Sequence, residues 1–145
     1  MVKSRRLSIC QGINFFLFYW HVFSINLIFH KGGSYLSRAS IIYVDGTFFV
    51  IGGYAGSVTK DIGRLDATTM IWSKAGELVT GRHAHNAIYD GSTVLVVGGN
   101  GTFKTEKCTI SNNQMNCTEQ NPQLSSYAYY PEMFMVSTDY CKSLP

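Results

Sequence analysis

Two stretches of this chain, 45 residues apart, have nearly the same sequence. The first begins at Asp45-Gly46 and ends at Gly52-Gly53, and the second begins at Asp90-Gly91 and ends at Gly98-Gly99 after one additional residue. Asp-Gly favours a tight hairpin, because both residues tolerate the positive φ of a type I′ turn. A Gly-Gly pair is typical of a strand end at which the backbone bends or passes close to a neighbour. Such an internal repeat indicates an architecture in which one unit cannot bury its own apolar face.

Further positions repeat after each glycine pair. The first unit continues with Leu65-Asp66, Trp72 and Arg82, whereas the second has Ile110-Ser111 and Cys117. We align Leu65 with Ile110 and Trp72 with Cys117, each at a spacing of 45 residues. In this order of features the chain resembles the kelch family of β-propellers. The repeat of that family combines a strand ending in Gly-Gly, an aliphatic-Asp pair, a Trp and a strand containing Arg or His.

The resemblance implies an all-β fold, a partial kelch-type β-propeller with two four-stranded antiparallel blades and the first strand of a third. Short strands punctuated by Gly, Asp and Asn agree with this. Propellers close with about 4–8 blades, so the resemblance also implies a fragment, a truncated gene product, or a subunit whose ring is completed by further blades or other chains. We predict blade one at about 38–76, with strands at 38–44, 47–52, 60–65 and 70–74, blade two at about 82–120, with strands at 82–89, 93–98, 104–110 and 114–119, and the start of blade three at about 126–137, with a strand at 127–136.

The beginning of the chain differs from the rest. Lysine and arginine side chains near the start precede an apolar, aromatic-rich run at residues 13–29. A basic start followed by an apolar run is typical of a secretory signal peptide or a signal anchor. Two alternatives are a tail that associates with a membrane through residues 13–29, and a segment that is not native to the protein. We therefore divide the chain into an apolar leader, residues 1–31, and a partial propeller, residues 32–145.

The segment from Cys108 to Cys117 is symmetrical about Asn112-Asn113, which suits a two-residue hairpin turn because Asn tolerates left-handed φ. In that register the two cysteines face each other at a non-hydrogen-bonded position, where Cα atoms are about 4.5 Å apart. We predict a disulfide between them, against the alternative of two unrelated core thiols. The pairing of Cys10 and Cys141 stays open.

Two triplets, at Asn100 and at Asn116, match the Asn-x-Thr pattern of N-linked glycosylation. Asn100 lies on a Gly-rich loop and is the better acceptor, whereas Asn116 lies in a predicted strand beside the disulfide. With the leader and the disulfide, these sites favour the extracellular space or the secretory pathway. The alternative is the cytoplasm, since most kelch proteins are intracellular.

Few residues point to chemistry. His83 and His85 alternate along a predicted strand, so they could supply two metal ligands from one face. We favour hydrogen bonding within the blade, because the spacing supplies no third ligand, and we predict no metal site, no cofactor and no catalytic residue. We expect Trp72 to pack between adjacent blades. A net charge of +3, without basic clusters beyond the leader, argues against a nucleic-acid partner.

Loops on a rigid scaffold are the usual carriers of recognition in such folds. The resemblance therefore implies a non-catalytic module that binds a protein partner, whose identity the sequence does not reveal. One alternative is a fragment of a galactose-oxidase-like copper enzyme, and another is a non-functional truncated gene product. The predicted binding-loop residues are Tyr54, Ser57, Thr59, Thr102 and Phe103.

Overall fold

Eight β-strands follow one another along the chain and form two four-stranded antiparallel meanders. This computed structural model describes residues 36–100, 102–121, 123–124, 128–129, 131 and 133. The predicted leader, residues 1–31, and most of the predicted strand at 127–136 lie outside the described residues. The strands are β1 (Ser40–Val44), β2 (Thr47–Ile51), β3 (Asp61–Asp66), β4 (Trp72–Glu77), β5 (His85–Tyr89), β6 (Thr93–Gly98), β7 (Thr105–Ser111) and β8 (Gln114–Gln120).

Strands β1–β4 form blade one and strands β5–β8 form blade two, which confirms the predicted fold class. A short parallel pairing of β4 with β8 joins the blades into one eight-stranded sheet. The strands touch at Gly76, where a Cβ atom would lie 2.1 Å from the carbonyl oxygen of Met115. Only glycine therefore permits this approach.

Strand β4 lies further along the chain than the sequence predicts, at Trp72–Glu77 instead of 70–74. The cause is the turn before it. The Asp66 carboxylate accepts hydrogen bonds from the N–H groups of Thr68 and Thr69, at 2.9 and 2.8 Å. This side-chain cap stabilises a longer turn than a simple hairpin, so the strand begins later.

Two of the three predicted two-residue turns are confirmed. Asp45-Gly46 has φ values of 45° and 80°, and Asn112-Asn113 has values of 50° and 58°, as type I′ turns require. Asp90-Gly91 differs, because Ser92 extends that turn. One oxygen of Asp90 accepts hydrogen bonds from the N–H groups of Ser92 and Thr93, so the aspartate caps the turn through its side chain.

The core lies between the two blades. Successive residues of a strand face opposite sides of its sheet, and one face of blade one packs on the facing side of blade two. Each blade thus covers an apolar face that the other could not bury alone. The buried cluster contains Ile42, Val44, Phe49, Ile51, Ile62, Ala75 and Leu78 from blade one and its exit, and Val94, Val96, Cys108 and Met115 from blade two.

The glycine pairs make the same contact in both blades. A Cβ atom on Gly52 would lie 2.6 Å from the carbonyl oxygen of Arg82, and one on Gly98 would lie 2.5 Å from that of Ala128. The second glycine of each pair donates its N–H to the same carbonyl, at 2.8 and 2.7 Å. The expected close approach of a neighbouring backbone is therefore confirmed. Ala128 holds the same position relative to blade two as Arg82 holds relative to blade one.

The alignment of Leu65 with Ile110 is wrong by two residues. Leu65 pairs with Phe48 in blade one, and Cys108 pairs with Val94 at the corresponding position of blade two. Cys108 is therefore the structural counterpart of Leu65. The physical reason is the connection between β2 and β3, which is three residues longer than the one between β6 and β7.

A disulfide in blade two occupies the place of a Leu–Trp pair in blade one. Leu65 pairs with Trp72, and Cys108 pairs with Cys117, so the alignment of Trp72 with Cys117 is confirmed. The predicted disulfide is present, with Cα atoms 4.0 Å apart, and Cys108 lies in the core between the blades. Trp72 does not pack between these two blades. Its side chain is on the opposite face of blade one and is 42% exposed.

The double substitution C108S/C117S should lower the free energy of unfolding by about 2–3 kcal/mol, because a covalent link across this hairpin restricts the unfolded chain. Urea denaturation of the full chain measures this. Dithiothreitol should lower the stability of the wild-type protein to that of the double variant and leave the variant unchanged. Equal stability of the oxidised and reduced wild-type protein would contradict the prediction.

Candidate functional site

The long connections of both blades emerge at one end of the strands, which we call the loop face. The short turns emerge at the other end, which we call the turn face. Antiparallel order produces this separation, since each strand reverses the direction of the one before it. The loop face contains the connections 52–60, 78–84 and 99–104, and the turn face contains 45–46, 67–71, 90–92 and 112–113.

A buried ion pair lies beneath the loop face. Nη2 of Arg82 is 2.7 Å from Oε1 of Glu106, and both side chains are 0% exposed. Nη1 of Arg82 also donates to the carbonyl oxygens of Gly98 and Lys104, at 2.9 and 2.6 Å. Burial lowers the pKa of Arg82 from its usual value, and the negative charge of Glu106 opposes this change. An arginine side chain keeps its positive charge even when burial lowers its pKa in this way.

The carboxylate of Glu106 fixes the chain that leaves blade one. Its two oxygens accept hydrogen bonds from the N–H groups of Val79 and Thr80, at 2.7 and 3.0 Å. Glu106 belongs to β7 of blade two, so this contact joins the connection 78–84 to the next blade. Arg82 could be singled out from the sequence because it belongs to the repeated pattern. No sequence feature distinguished Glu106 from a strand residue that faces solvent.

A polar and aromatic cluster lies on the loop face near the ion pair. Nε2 of His83 is 3.3 Å from the amide nitrogen of Asn100, whose amide oxygen accepts a hydrogen bond from the hydroxyl of Tyr129 at 3.2 Å. The ring of Tyr54 lies 5.5 Å from the ring of His83. Burial and the charge of Arg38 lower the pKa of His83. His83 is therefore uncharged at neutral pH but only 5% exposed, so the exposed members of the cluster are Tyr54, Asn100 and Tyr129.

His85 does not share the surroundings of His83. Its ring is buried beside Gly52, and the residue is 5% exposed. Burial, and then the charge of Arg82, lower its pKa to about 3. The nearby backbone of Ile51 raises the pKa, but its effect is smaller. Neither ring nitrogen of His85 has a hydrogen-bond partner among the described residues. The expected hydrogen bonding of the two histidines is found at His83 alone.

The predicted binding-loop residues differ in their availability. Tyr54, Ser57 and Phe103 are exposed on the loop face. Thr59 is partly buried, and its hydroxyl accepts a hydrogen bond from the N–H of Asp61. Thr102 is 4% exposed, and its hydroxyl accepts the N–H of Lys104, so its side chain supports the loop instead of facing a partner.

Three exposed residues of the loop face were not predicted from the sequence: Val58, Val79 and Tyr129. Apolar residues next to Gly, Ser and Thr in the connections are the signal that could have identified them. With Tyr54 and Phe103 they give this end of the molecule an aromatic and aliphatic surface. Tyrosine and other aromatic residues are enriched at the centres of protein interfaces.

The two predicted glycosylation sites lie in different places. Asn100 is exposed on the loop face, where its amide group contacts His83 and Tyr129. Asn116 is exposed on β8, opposite Thr109 in the antiparallel pairing. Glycosylation of either stays a prediction.

No group of three or more His, Cys, Asp or Glu side chains among the described residues could hold a metal ion. Within the same residues, no helix is long and apolar enough to cross a membrane. The apolar run at residues 13–29 is not among them.

Two stacked four-stranded meanders, joined through repeated backbone contacts, are adjacent blades of a β-propeller. Among solved structures the chain resembles that of YjhT, a kelch-like β-propeller, with a TM-score of 0.51 and 14% sequence identity. The match covers 66% of this chain and 41% of YjhT, so the chain spans less than half the length of that protein. No protein family and no curated protein matches the sequence. The similarity concerns the fold alone.

Substitution of Arg82 by Met should lower the free energy of unfolding by about 3–5 kcal/mol, because it leaves the Glu106 carboxylate buried without its counter-charge. The double variant R82M/E106L should lose about 1–3 kcal/mol less than the two single losses combined. Urea denaturation of all three variants measures this coupling. Lys104→Met, which breaks the exposed pair of Lys104 with Glu119, is the control and should change stability little. Additive losses would contradict the prediction.

Acid should destabilise the protein through His85. Its pKa is about 3 when folded and about 6.5 when unfolded, so between these values the unfolded chain binds a proton that the folded chain excludes. The free energy of unfolding therefore falls as the pH drops below about 6.5, by at most about 1.4 kcal/mol per pH unit. Urea denaturation at pH 7 and pH 5 should show a smaller loss in His85→Leu than in the wild-type protein. Equal losses would show that other groups cause the acid sensitivity.

Proposed function

We propose that this chain is a non-catalytic protein-binding module of the kelch type, and that it contributes two blades to a larger propeller. The observation that carries the proposal is the loop face, where Tyr54, Phe103 and Tyr129 are exposed at the ends of ordered strands. Aromatic side chains provide large contact areas and lose little conformational entropy on binding. The buried pair of Arg82 and Glu106 supports this surface from below, which lowers the cost of ordering it.

The kelch assignment depends on the repeat itself. Its support is the glycine pair that ends the second strand of each blade and the backbone contact that this pair makes with the following segment. Blade one also carries the aliphatic-Asp pair, the Trp and the Arg of the repeat. Blade two keeps the glycines and replaces the Leu–Trp pair by a disulfide.

An oxidising compartment is the second part of the proposal. The disulfide between Cys108 and Cys117 weakly favours such a compartment, because thiols in the cytoplasm are kept reduced. The exposure of Asn100 and Asn116 is compatible with glycosylation in the secretory pathway. We therefore propose an extracellular or secretory location, with the leader at residues 1–31 as the targeting signal.

A peptide-binding experiment tests the function. Peptides selected from a random phage-displayed library against the full chain should lose at least about tenfold in affinity when Tyr54 or Phe103 is replaced by Ala, as interface aromatics typically do. Ile71→Ala is the matched control, since Ile71 is an exposed apolar residue on the turn face. Circular dichroism confirms that each variant folds.

Three results would contradict the proposal. The first is a library that yields no binding peptide. The second is equal loss of binding in Ile71→Ala and in the loop-face variants, which would place the contact elsewhere. The third is stoichiometric copper in the purified protein, which would favour the copper-enzyme alternative.

A further inference from the structure

Arg38 precedes β1 at the loop-face end and has a backbone conformation that recurs in the next blade. Its φ is 56°, and the φ of Ala84, which precedes β5, is 54°. The two positions are equivalent, because Ser40 and Asn86 follow them by two residues and each donates a side-chain hydrogen bond to a carbonyl oxygen 45 residues further along the chain. Blade two thus uses alanine at this position, so the fold itself does not require arginine there.

Hydrogen bonds to two loops of the loop face hold the backbone around Arg38. Ser37 and Tyr54 each donate an N–H to the carbonyl oxygen of the other, at 2.9 and 2.8 Å. The carbonyl oxygen of Arg38 accepts the N–H of Ala84 at 2.9 Å. The side chain of Arg38 is exposed. A cation on a backbone that is already ordered loses less entropy when it binds a ligand.

The guanidinium of Arg38 has no counter-charge among the described residues. The described acids nearest the loop face already form ion pairs, which are Asp61 with Lys74, Glu77 with Lys60 and Lys74, Glu106 with Arg82, and Glu119 with Lys104. The other described acids, Asp45, Asp66 and Asp90, belong to the turn face. Arg38 itself forms no side-chain hydrogen bond or ion pair with a described residue. The described part of the loop face therefore keeps one unpaired positive charge.

A second donor near Arg38 also lacks an acceptor among the described residues. The amide nitrogen of Asn100 donates to Nε2 of His83, so the proton of that ring lies on Nδ1. Nδ1 is buried, and no described group accepts its proton. The charge of Arg38 acts on this ring, since it lowers the pKa of His83 after the larger effect of burial. This part of the loop face is therefore rich in hydrogen-bond donors and positively charged, which favours an anionic ligand.

We infer that Arg38 binds a carboxylate of the protein partner at the loop face. The inference rests on the proposed function, because it names the chemistry of that partner. A guanidinium presents two parallel N–H donors, which match the two oxygens of a carboxylate. One arginine also matches the single charge of a carboxylate better than the charge of about −1.5 to −2 on a phosphorylated side chain. The exposed rings of Tyr54 and Tyr129 provide apolar contact area on the same face.

Peptides selected against the full chain test the inference. One library displays random peptides fused to the phage coat at their C-termini, and a second displays them with free C-termini. Peptides that bind should contain a carboxylate whose conversion to an amide weakens binding about tenfold or more. Loss on replacing Asp by Asn or Glu by Gln in the peptide identifies a side-chain carboxylate as the ligand. Loss on amidation of the C-terminus identifies the terminal carboxylate.

The decisive variant is Arg38→Ala, because alanine already adopts this φ at the equivalent position of blade two. It should weaken binding of a carboxylate peptide about tenfold or more and should not weaken binding of its amide counterpart further. Arg38→Lys should retain part of the affinity, since it keeps the charge but loses the paired donors. The control is Lys107→Ala, which removes an exposed positive charge from β7 and should change affinity by less than about twofold.

Peptides that bind equally well to Arg38→Ala would overturn the inference and leave the proposed function intact. Equal losses for carboxylate and amide peptides would also overturn it, because they would indicate a structural effect of the substitution. An equal loss in Lys107→Ala would show that net charge, and not Arg38, attracts the peptide. Libraries without any binding peptide would contradict the proposed function itself. Circular dichroism checks folding, and if Arg38→Ala does not fold, Arg38→Gln carries the test.

Discussion

The buried ion pair of Arg82 and Glu106 joins the segment that leaves blade one to a strand of blade two. Two charges without access to water are tolerated only when the remaining donors and acceptors are also paired. Here the arginine donates to the backbone carbonyls of Thr80, Gly98 and Lys104, and the glutamate accepts two backbone N–H groups, from Val79 and Thr80. Because Val79, Thr80 and Arg82 all belong to the connection 78–84, these contacts hold that connection, and with it part of the loop face, against β7 of blade two.

The backbone contacts of the glycine pairs are the same in both blades, whereas the side-chain packing differs between the blades. Gly52 and Gly98 allow the same close approach of a neighbouring carbonyl, so the spacing from each blade to the next segment is set without side chains. The corresponding positions Leu65 and Cys108 carry different residues, because Leu65 lies on the face of blade one that is turned away from blade two and Cys108 lies in the core between the blades. A propeller repeat thus conserves its geometry through glycine and adapts its surfaces through the remaining residues.

The two apolar surfaces of the molecule differ in character. The loop face combines exposed aromatic residues with the exposed amide of Asn100, which hydrogen-bonds to Tyr129. The face of blade one that is turned away from blade two carries Tyr43, Phe48 and Trp72 across its strands, and large side chains in this arrangement suit sheet-to-sheet packing. The separation follows from the architecture, since the loops lie at the ends of the strands and these side chains lie across them.

Much of the fold was predictable from the sequence because its signals are local. Asp45-Gly46 and Asn112-Asn113 encode their turns through left-handed φ, and the symmetry of the second hairpin determined the pairing of Cys108 with Cys117. The correspondence between positions of β3 in blade one and β7 in blade two was not predictable, because it depends on the lengths of the loops that precede these strands. The partners of Glu106, the burial of Thr102 and the exposed face of Trp72 were decided by the tertiary structure alone. Each depends on which blade lies beside it, and a contact across two sheets leaves no mark on the local sequence pattern.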